Sequence, residues 1–218
     1  EAIKDMKTIG VLEVDEEKKT KKIAIPVGIV AGLIPSTNPT STAFYKSEIA
    51  LKGGNAIIFS PHPNAKNCIV EAVKVIRTAI AEAGGNEDLV SVITIPTIQA
   101  TDMLMKHPDV AMILATGGSA MVRAAYSSGT PAIGVGPGNG PAYIEKTADV
   151  ALAVKRIMDS KTFDNGTICA SEQSVTVLAP VYEAVKKEFK YRGCYFLKPD
   201  EIEKVRKTIL INGSLNAK

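Results

Sequence analysis

Apolar and polar positions along this chain fall into blocks, and each block implies an element. IGVLEV (9–14) and KIAIPVGIV (22–30) flank the charged run DEEKKTK, which predicts a hairpin with a solvated tip. VGIVAGLI (27–34), NAIIFS (55–60), LVSVITI (89–95), VAMILAT (110–116) and PAIGVG (131–136) are short, unbroken apolar runs that read as buried strands. STAFYKSEIALKGG (41–54) reads as a helix closing on the glycines 53 and 54. Residues 64–84 carry the clearest helical stripe, with Ala65, Cys68, Ile69, Ala72, Val73, Ile76, Ala79, Ile80 and Ala83 on one apolar face. That spacing puts Cys68 in the core. Further helices are predicted over 99–107 and 118–128. Apolar strands alternating with helices predict an α/β fold, a parallel sheet covered on both faces.

Ligands of such sheets bind beyond the carboxyl ends of the strands. The loops 35–40, 60–64, 116–119 and 134–140 all fall at that edge. After Gly140 the rhythm changes. A strand at 142–145, a helix over 149–158, the strand SVTVLA and helices near 181–191 and 199–209 predict the start of a second α/β domain. The expected organisation is therefore a hairpin segment over 1–26, a sheet domain over 27–140 and an incomplete domain over 141–218. The chain opens on EAIKDMKTIG without an initiating Met and closes in polar LINGSLNAK, which reads as a piece of something longer.

Composition narrows the classes. Of 218 residues, 45% are apolar and 22% charged, ordinary usage for a soluble domain. No apolar run approaches the roughly 18–20 residues of a membrane span, so no membrane partner is expected. A net charge of +3 is too small to argue for nucleic acid, and the absence of Trp removes the usual stacking platforms. The basic run Lys18, Lys19, Lys21 and Lys22 reads as a solvated face. Cys68, Cys169 and Cys194 lack C-x-x-C spacing and nearby histidines, so neither a metal nor a disulfide framework is expected, and the compartment reads as reducing and cytoplasmic.

The candidate chemistry lies in loops. Neither G-x-G-x-x-G nor G-x-x-x-x-G-K-[ST] is present. In ATGGSAMVRAA (115–125) a strand runs through Thr116, Gly117, Gly118 and Ser119 into a helix. Backbone N–H groups there suit a pyrophosphate, or the segment is a plain helix-capping turn. In TFDNGTICASEQSV (162–175), Cys169 is either a nucleophile or a small hydrophobe beside a bend. Glu172 is expected to be carried outward by the following strand, His107 to cap a helix end, and Cys194 to pack at a strand start.

Taken together, IPSTNPTS, IIFSPHP, ATGGS, GVGPGNGPAYI and NGTICAS resemble, in order and spacing, the aldehyde dehydrogenase superfamily, and most of all its CoA-acylating acetaldehyde dehydrogenases, including the aldehyde half of bifunctional aldehyde-alcohol dehydrogenases. The resemblance implies a Rossmann-like nucleotide-binding domain followed by the thiol-bearing catalytic domain. It makes Cys169 the attacking thiol and Asn38 the side-chain donor of an oxyanion hole. The loops supply Ile34, Pro35, Ser36 and Thr37, then Ser60, Pro61 and His62, then Thr116, Gly117, Gly118 and Ser119, then Gly136 and Pro137 to the nucleotide. Where the family has Gly-Gln-x-Cys, this chain has Gly166-Thr167-Ile168-Cys169. Ser60 stands in place of a family lysine beside the ribose, which leaves NAD or NADP open. Val135 takes the place of the glutamate that activates water in hydrolytic members. The implied reaction joins a short-chain aldehyde, CoA and NAD(P) to acyl-CoA and NAD(P)H through a cysteine thioester, in a homo-oligomer formed through the 9–25 hairpin. The alternatives are a hydrolytic aldehyde dehydrogenase, an acyl-phosphate reductase, or a non-catalytic nucleotide-binding piece.

Overall fold

A computed structural model describes residues 2–211 and the backbone of 214–215; the rest of the closing LINGSLNAK lies outside the described residues. The chain divides into two compact units at Gly138/Asn139. None of the helices among the described residues is long and apolar enough to cross a membrane.

The first unit opens with β1 (Gly10–Asp15) and β2 (Thr20–Ala24), an antiparallel ribbon whose ends pair Gly10 with Ala24 and Asp15 with Thr20. Then β3 (Ile29–Ile34), α1 (Pro39–Lys52), β4 (Ala56–Pro61), α2 (Lys66–Glu82), β5 (Val90–Val92), α3 (Ile98–Met105), β6 (Val110–Thr116), α4 (Ser119–Tyr126) and β7 (Ala132–Val135) alternate. The five strands β3 to β7 form one parallel sheet in the order β5-β4-β3-β6-β7. Its first strand is central.

The alternation of β3 explains why the sheet is covered twice. Val30 and Ile34 join Ala43, Ile57, Phe59, Ile69, Val73 and Ile76 in one core, between the sheet and α1 and α2. Ala31 and Leu33 point the other way, to Met105, Val110, Ile113, Ala115 and Ala125 under α3 and α4. Gly32 lies between them because a Cβ there would stand 2.5 Å from the buried Phe59 ring. Gly54, at φ +74, takes the left-handed turn that ends α1, as the paired glycines predict.

Three expectations are corrected. The stripe of α2 is narrower than its spacing suggests, with Ile69, Ala72, Val73 and Ile76 buried. Ala65 and Ile69 take the sheet side of its first turn, and Cys68 on the flank is exposed, as are Ala79 and Ala83. The strand expected over 89–95 spans only Val90–Val92, paired with Ile57–Phe59; the Ile93 N–H still reaches the Phe59 carbonyl at 2.9 Å, but Pro61 has no N–H to return to Ile93. No strand begins at Cys194. Its N–H closes the end of a helix on the Phe189 carbonyl at 2.9 Å, and its thiol packs on Met158.

The second unit runs β8 (Gly140–Ile144), α5 (Val150–Thr162), β9 (Glu172–Val177), α6 (Tyr182–Tyr191) and α7 (Pro199–Ile209). β8 and β9 pair in parallel around the α5 crossover. Their core is Ile144, Val154 and Val185. Asp149 caps α5 by accepting the Leu152 N–H at 3.0 Å.

Candidate functional site

In the first unit, chemistry gathers where the sheet changes direction. After β3 the chain turns to α1 on one face; after β6 it turns to α4 on the other. The two connections part there and leave a crevice at the carboxyl edge. A cavity of about 320 Å³ opens beside it. Seven of the residues singled out in the sequence line it: Ile34, Pro35, Ser60, Pro61, His62, Thr116 and Gly117. Ser36, Thr37, Gly118, Ser119, Gly136 and Pro137 do not, although the first four continue the same two loops.

The cavity has a wall that periodicity and motifs do not reveal. Pro96 and Thr97, just before α3, and Ile98, Thr101 and Met105 along it form that wall. Thr97 caps α3 by accepting the Ala100 N–H at 3.0 Å. The hydroxyl of Thr101 donates to the Thr97 carbonyl at 2.9 Å, so its 2.7 Å bond with Ser60 takes its proton from Ser60. Ser60 Oγ is thereby left with its lone pairs, an acceptor at the buried margin of a mostly apolar pocket. An apolar pocket with one placed polar group is the usual form of a small-molecule site.

The turn after β6 is shaped for close approach. The Gly117 N–H is committed to the Val135 carbonyl at 3.1 Å, which leaves Gly118 and the first residues of α4 as donors. Gly118 has φ −66, and a Cβ added to it would meet nothing within 4 Å. Neither backbone conformation nor internal packing requires a glycine there. The missing side chain leaves the face of this turn open.

Beneath the crevice lies Lys46, 2% exposed, on the buried side of α1. Its ammonium donates to the Leu33 carbonyl at 2.7 Å and the Leu114 carbonyl at 2.8 Å, so one side chain ties β3 to β6 where they diverge. Burial drags its pKa from 10.5 down to about 7. The spacing of Thr42, Ala43, Lys46, Ser47 and Ala50 on one helical face is the signal in the sequence that could place it. Asn38 stands at the N-cap of α1, but its side chain makes no capping bond. Its Oδ1 accepts the Thr37 hydroxyl at 3.1 Å, which leaves the amide NH₂ uncommitted. Val135 ends β7 with its side chain 52% exposed at the sheet edge.

The second unit carries the thiol. Asp164, Asn165 and Gly166 all have positive φ (48, 53 and 70°), a left-handed run that folds the chain sharply after α5. Two non-glycine residues in that region are strained, and such strain clusters at functional sites. Thr167 braces the bend by donating its N–H and hydroxyl to Asp164. Cys169 comes two residues later, exposed in a turn rather than packed in a core. Glu172 is not carried outward as expected: it starts β9 half-buried, and its Oε2 is buried without a hydrogen-bond partner. Pairing of Glu172 with Gly140 at the start of β8 draws it in.

Comparison with known proteins gives a consistent result. A profile of the family described as "Aldehyde dehydrogenase family" matches residues 1–193. The bifunctional aldehyde-alcohol dehydrogenase AdhE of Escherichia coli K12 is 53% identical over 216 residues, covering 99% of this chain and 24% of that protein. The crystal structure of an acetylating aldehyde dehydrogenase from Geobacillus thermoglucosidasius superposes with a TM-score of 0.90 at 55% identity, over 99% of this chain and 48% of its own. A propionaldehyde dehydrogenase from Rhodopseudomonas palustris, solved with bound propionyl-CoA, does so with a TM-score of 0.79 at 34% identity, over 87% and 42%. The chain thus spans about a quarter of the first protein and about half or less of the other two.

Proposed function

The chain belongs to the aldehyde dehydrogenase family, and from that premise we propose that it carries the nucleotide site and the thiol of a CoA-acylating aldehyde dehydrogenase. Residues 27–140 serve as the nucleotide-binding domain, and 141–218 as the start of the catalytic domain. The crevice beside Ser60, Thr116 and Gly117 takes the dinucleotide, with the pyrophosphate at the open side of Gly118. The Ser60 acceptor suits a ribose hydroxyl, which favours NAD. A nicotinamide, when bound, exchanges hydride with the carbon being transformed.

The chain's own residues do the rest. The Cys169 thiolate attacks the aldehyde carbon, and covalent capture divides a difficult oxidation into two easier steps. The oxyanion that forms needs donors already in place; the Cys169 N–H is one, and the family resemblance assigns the side-chain amide of Asn38 the same task. The product is a thioester on Cys169, and its fate depends on the acceptor. The single observation that carries the acylating reading is Val135, an exposed apolar side chain at the position where the resemblance puts the water-activating base of hydrolytic enzymes. Valine cannot accept a proton, so the thioester waits for the thiol of CoA.

The test uses a protein that carries this chain at its relatives' full length. Given aldehyde and NAD without CoA, it should release at most one burst of reduced cofactor per site, because a missing general base forgoes about 10²–10⁴-fold. Adding CoA should restart turnover and yield acyl-CoA. Cys169→Ser should abolish both phases and leave nucleotide binding intact. Steady formation of free acid at a rate indifferent to CoA would replace this reading with a hydrolytic one.

A further inference from the structure

The thiol turn is held from within by two side chains that take no part in the bond changes at Cys169. Ser171 is 0% exposed, although it lies only two residues beyond an exposed cysteine. Its hydroxyl folds back toward the turn, with Oγ 3.0 Å from the Ile168 carbonyl oxygen and 3.5 Å from that of Gly166. Its backbone N–H reaches the same Ile168 oxygen at 3.2 Å. A hydroxyl has one proton to give, and the shorter bond assigns it to Ile168. The lone pairs left on Oγ face Lys161, whose ammonium stands 3.5 Å away and donates also to Gln173 Oε1 at 3.3 Å. Lys161 in turn lies against Gly166, where an added Cβ would come within 2.9 Å of its carbonyl oxygen and 3.4 Å of its Nζ.

The Ile168 carbonyl is one end of the peptide unit that joins Ile168 to Cys169. That unit is trans and planar, so the carbonyl and the Cys169 N–H are opposite ends of one rigid dipole. Anchoring the oxygen by two donors fixes the direction of the N–H. Among the described residues, the Cys169 N–H itself donates to no protein acceptor.

We infer that Ser171, backed by Lys161, is a positioning residue for the oxyanion donor: the relay from the Lys161 ammonium through the Ser171 hydroxyl to the Ile168 carbonyl aims the Cys169 N–H before substrate arrives. The relay also polarises it, since each hydrogen bond in a chain strengthens the next. This rests on Cys169 being the nucleophile. In acyl transfer from a CoA thioester, the Cys169 sulfur forms a bond to the carbonyl carbon, and the π pair of that carbonyl moves onto its oxygen. Collapse returns the pair, and the bond to the CoA sulfur breaks with CoA leaving as thiolate. One thiolate replaces another, with no net change in protons or electrons. The aimed N–H meets the oxygen while it carries the charge.

Two reactions of the same thiol separate aim from mere folding. Acetyl-CoA acylates Cys169 through an oxyanion, whereas iodoacetamide alkylates it by direct displacement with none. Both rates are measured at the Cys169 peptide by proteolysis and mass spectrometry, apart from the exposed Cys68, on the full-length protein and on Ser171→Ala and Lys161→Met. Acylation should slow by about tenfold or more in Ser171→Ala and less in Lys161→Met, while alkylation stays within about twofold, part of the roughly 10²–10³ carried by a whole oxyanion donor. Equal slowing of the two reactions makes Ser171 a structural residue only and overturns the inference, as does acylation at the unsubstituted rate. If Ser171→Ala does not fold, the half-buried Lys161→Met decides by the same ratio. Failure of acetyl-CoA to label Cys169 in the unsubstituted protein sinks the nucleophile assignment itself, and this inference with it.

Discussion

At the scale of single residues, two glycines show opposite reasons for lacking a side chain. Gly32 is required by the molecule itself, because the Phe59 ring fills the space its Cβ would need. Gly32→Ala should lower unfolding stability by about 1–3 kcal/mol in urea titrations, the usual cost of overpacking a core. Gly118 is required by nothing inside the chain. Gly118→Ala should leave the unfolding midpoint unchanged and weaken nucleotide binding measured by calorimetry. Equal affinity in the two proteins would mean that no ligand approaches the turn. The residues of the turn are visible in the sequence, but this distinction is not, because it depends on what surrounds each Cα. Ser60 is similar. Its place in a loop can be read, whereas its role as an acceptor depends on Thr101, 41 residues away.

At the scale of elements, periodicity carries the reading a long way. The unbroken apolar run of β3 and the 3.6-period stripe of α2 place both elements nearly at their observed bounds. Where periodicity fails, a neighbour decides. β5 ends early because Pro61 of β4 has no N–H to continue the ladder, and the chain beyond it reaches α3, whose Thr97 cap and Thr101 wall the cavity. Lys46 is the clearest case. A lysine within a helix reads as solvated, yet here it reaches under the sheet to two strand carbonyls. Its titration gives α1 a pH signature. The folded pKa of about 7 lies below the ordinary 10.5, so between those values the unfolded chain holds a proton that the folded chain has released. Stability should therefore rise with pH from about 7 toward 10.5, and flatten below that window. Urea unfolding across this range should show the rise, and Lys46→Met should remove its share of the slope. Identical slopes in the two proteins would place the ammonium in water.

At the scale of the whole molecule, the alternation of strands and helices makes the layered sheet legible, but not its strand order. Order arises from which edges meet, and nothing in an apolar run says whether its partner is the next strand or one further along. The observed order β5-β4-β3-β6-β7 has a consequence in time as well as in space. A ribosome delivers β3 first and β4 and β5 soon after, so one half of the sheet can assemble as soon as Val92 has emerged. The other edge of β3, and the apolar side chains of Ala31 and Leu33, then wait for β6 to arrive. About 24 residues separate the end of β5 from the end of β6, roughly one to five seconds of synthesis at ~5–20 residues per second. During that interval the future centre of the sheet is an open edge, the kind of surface that recruits other chains. Nascent chains halted within residues 93–109 should pellet on centrifugation after release, and those halted beyond Val135 should stay in solution. Equal solubility of the two sets would mean that the half-sheet protects its own edge. The crevice proposed for the nucleotide and the edge that waits for β6 are the same place: both lie where β3 meets β6.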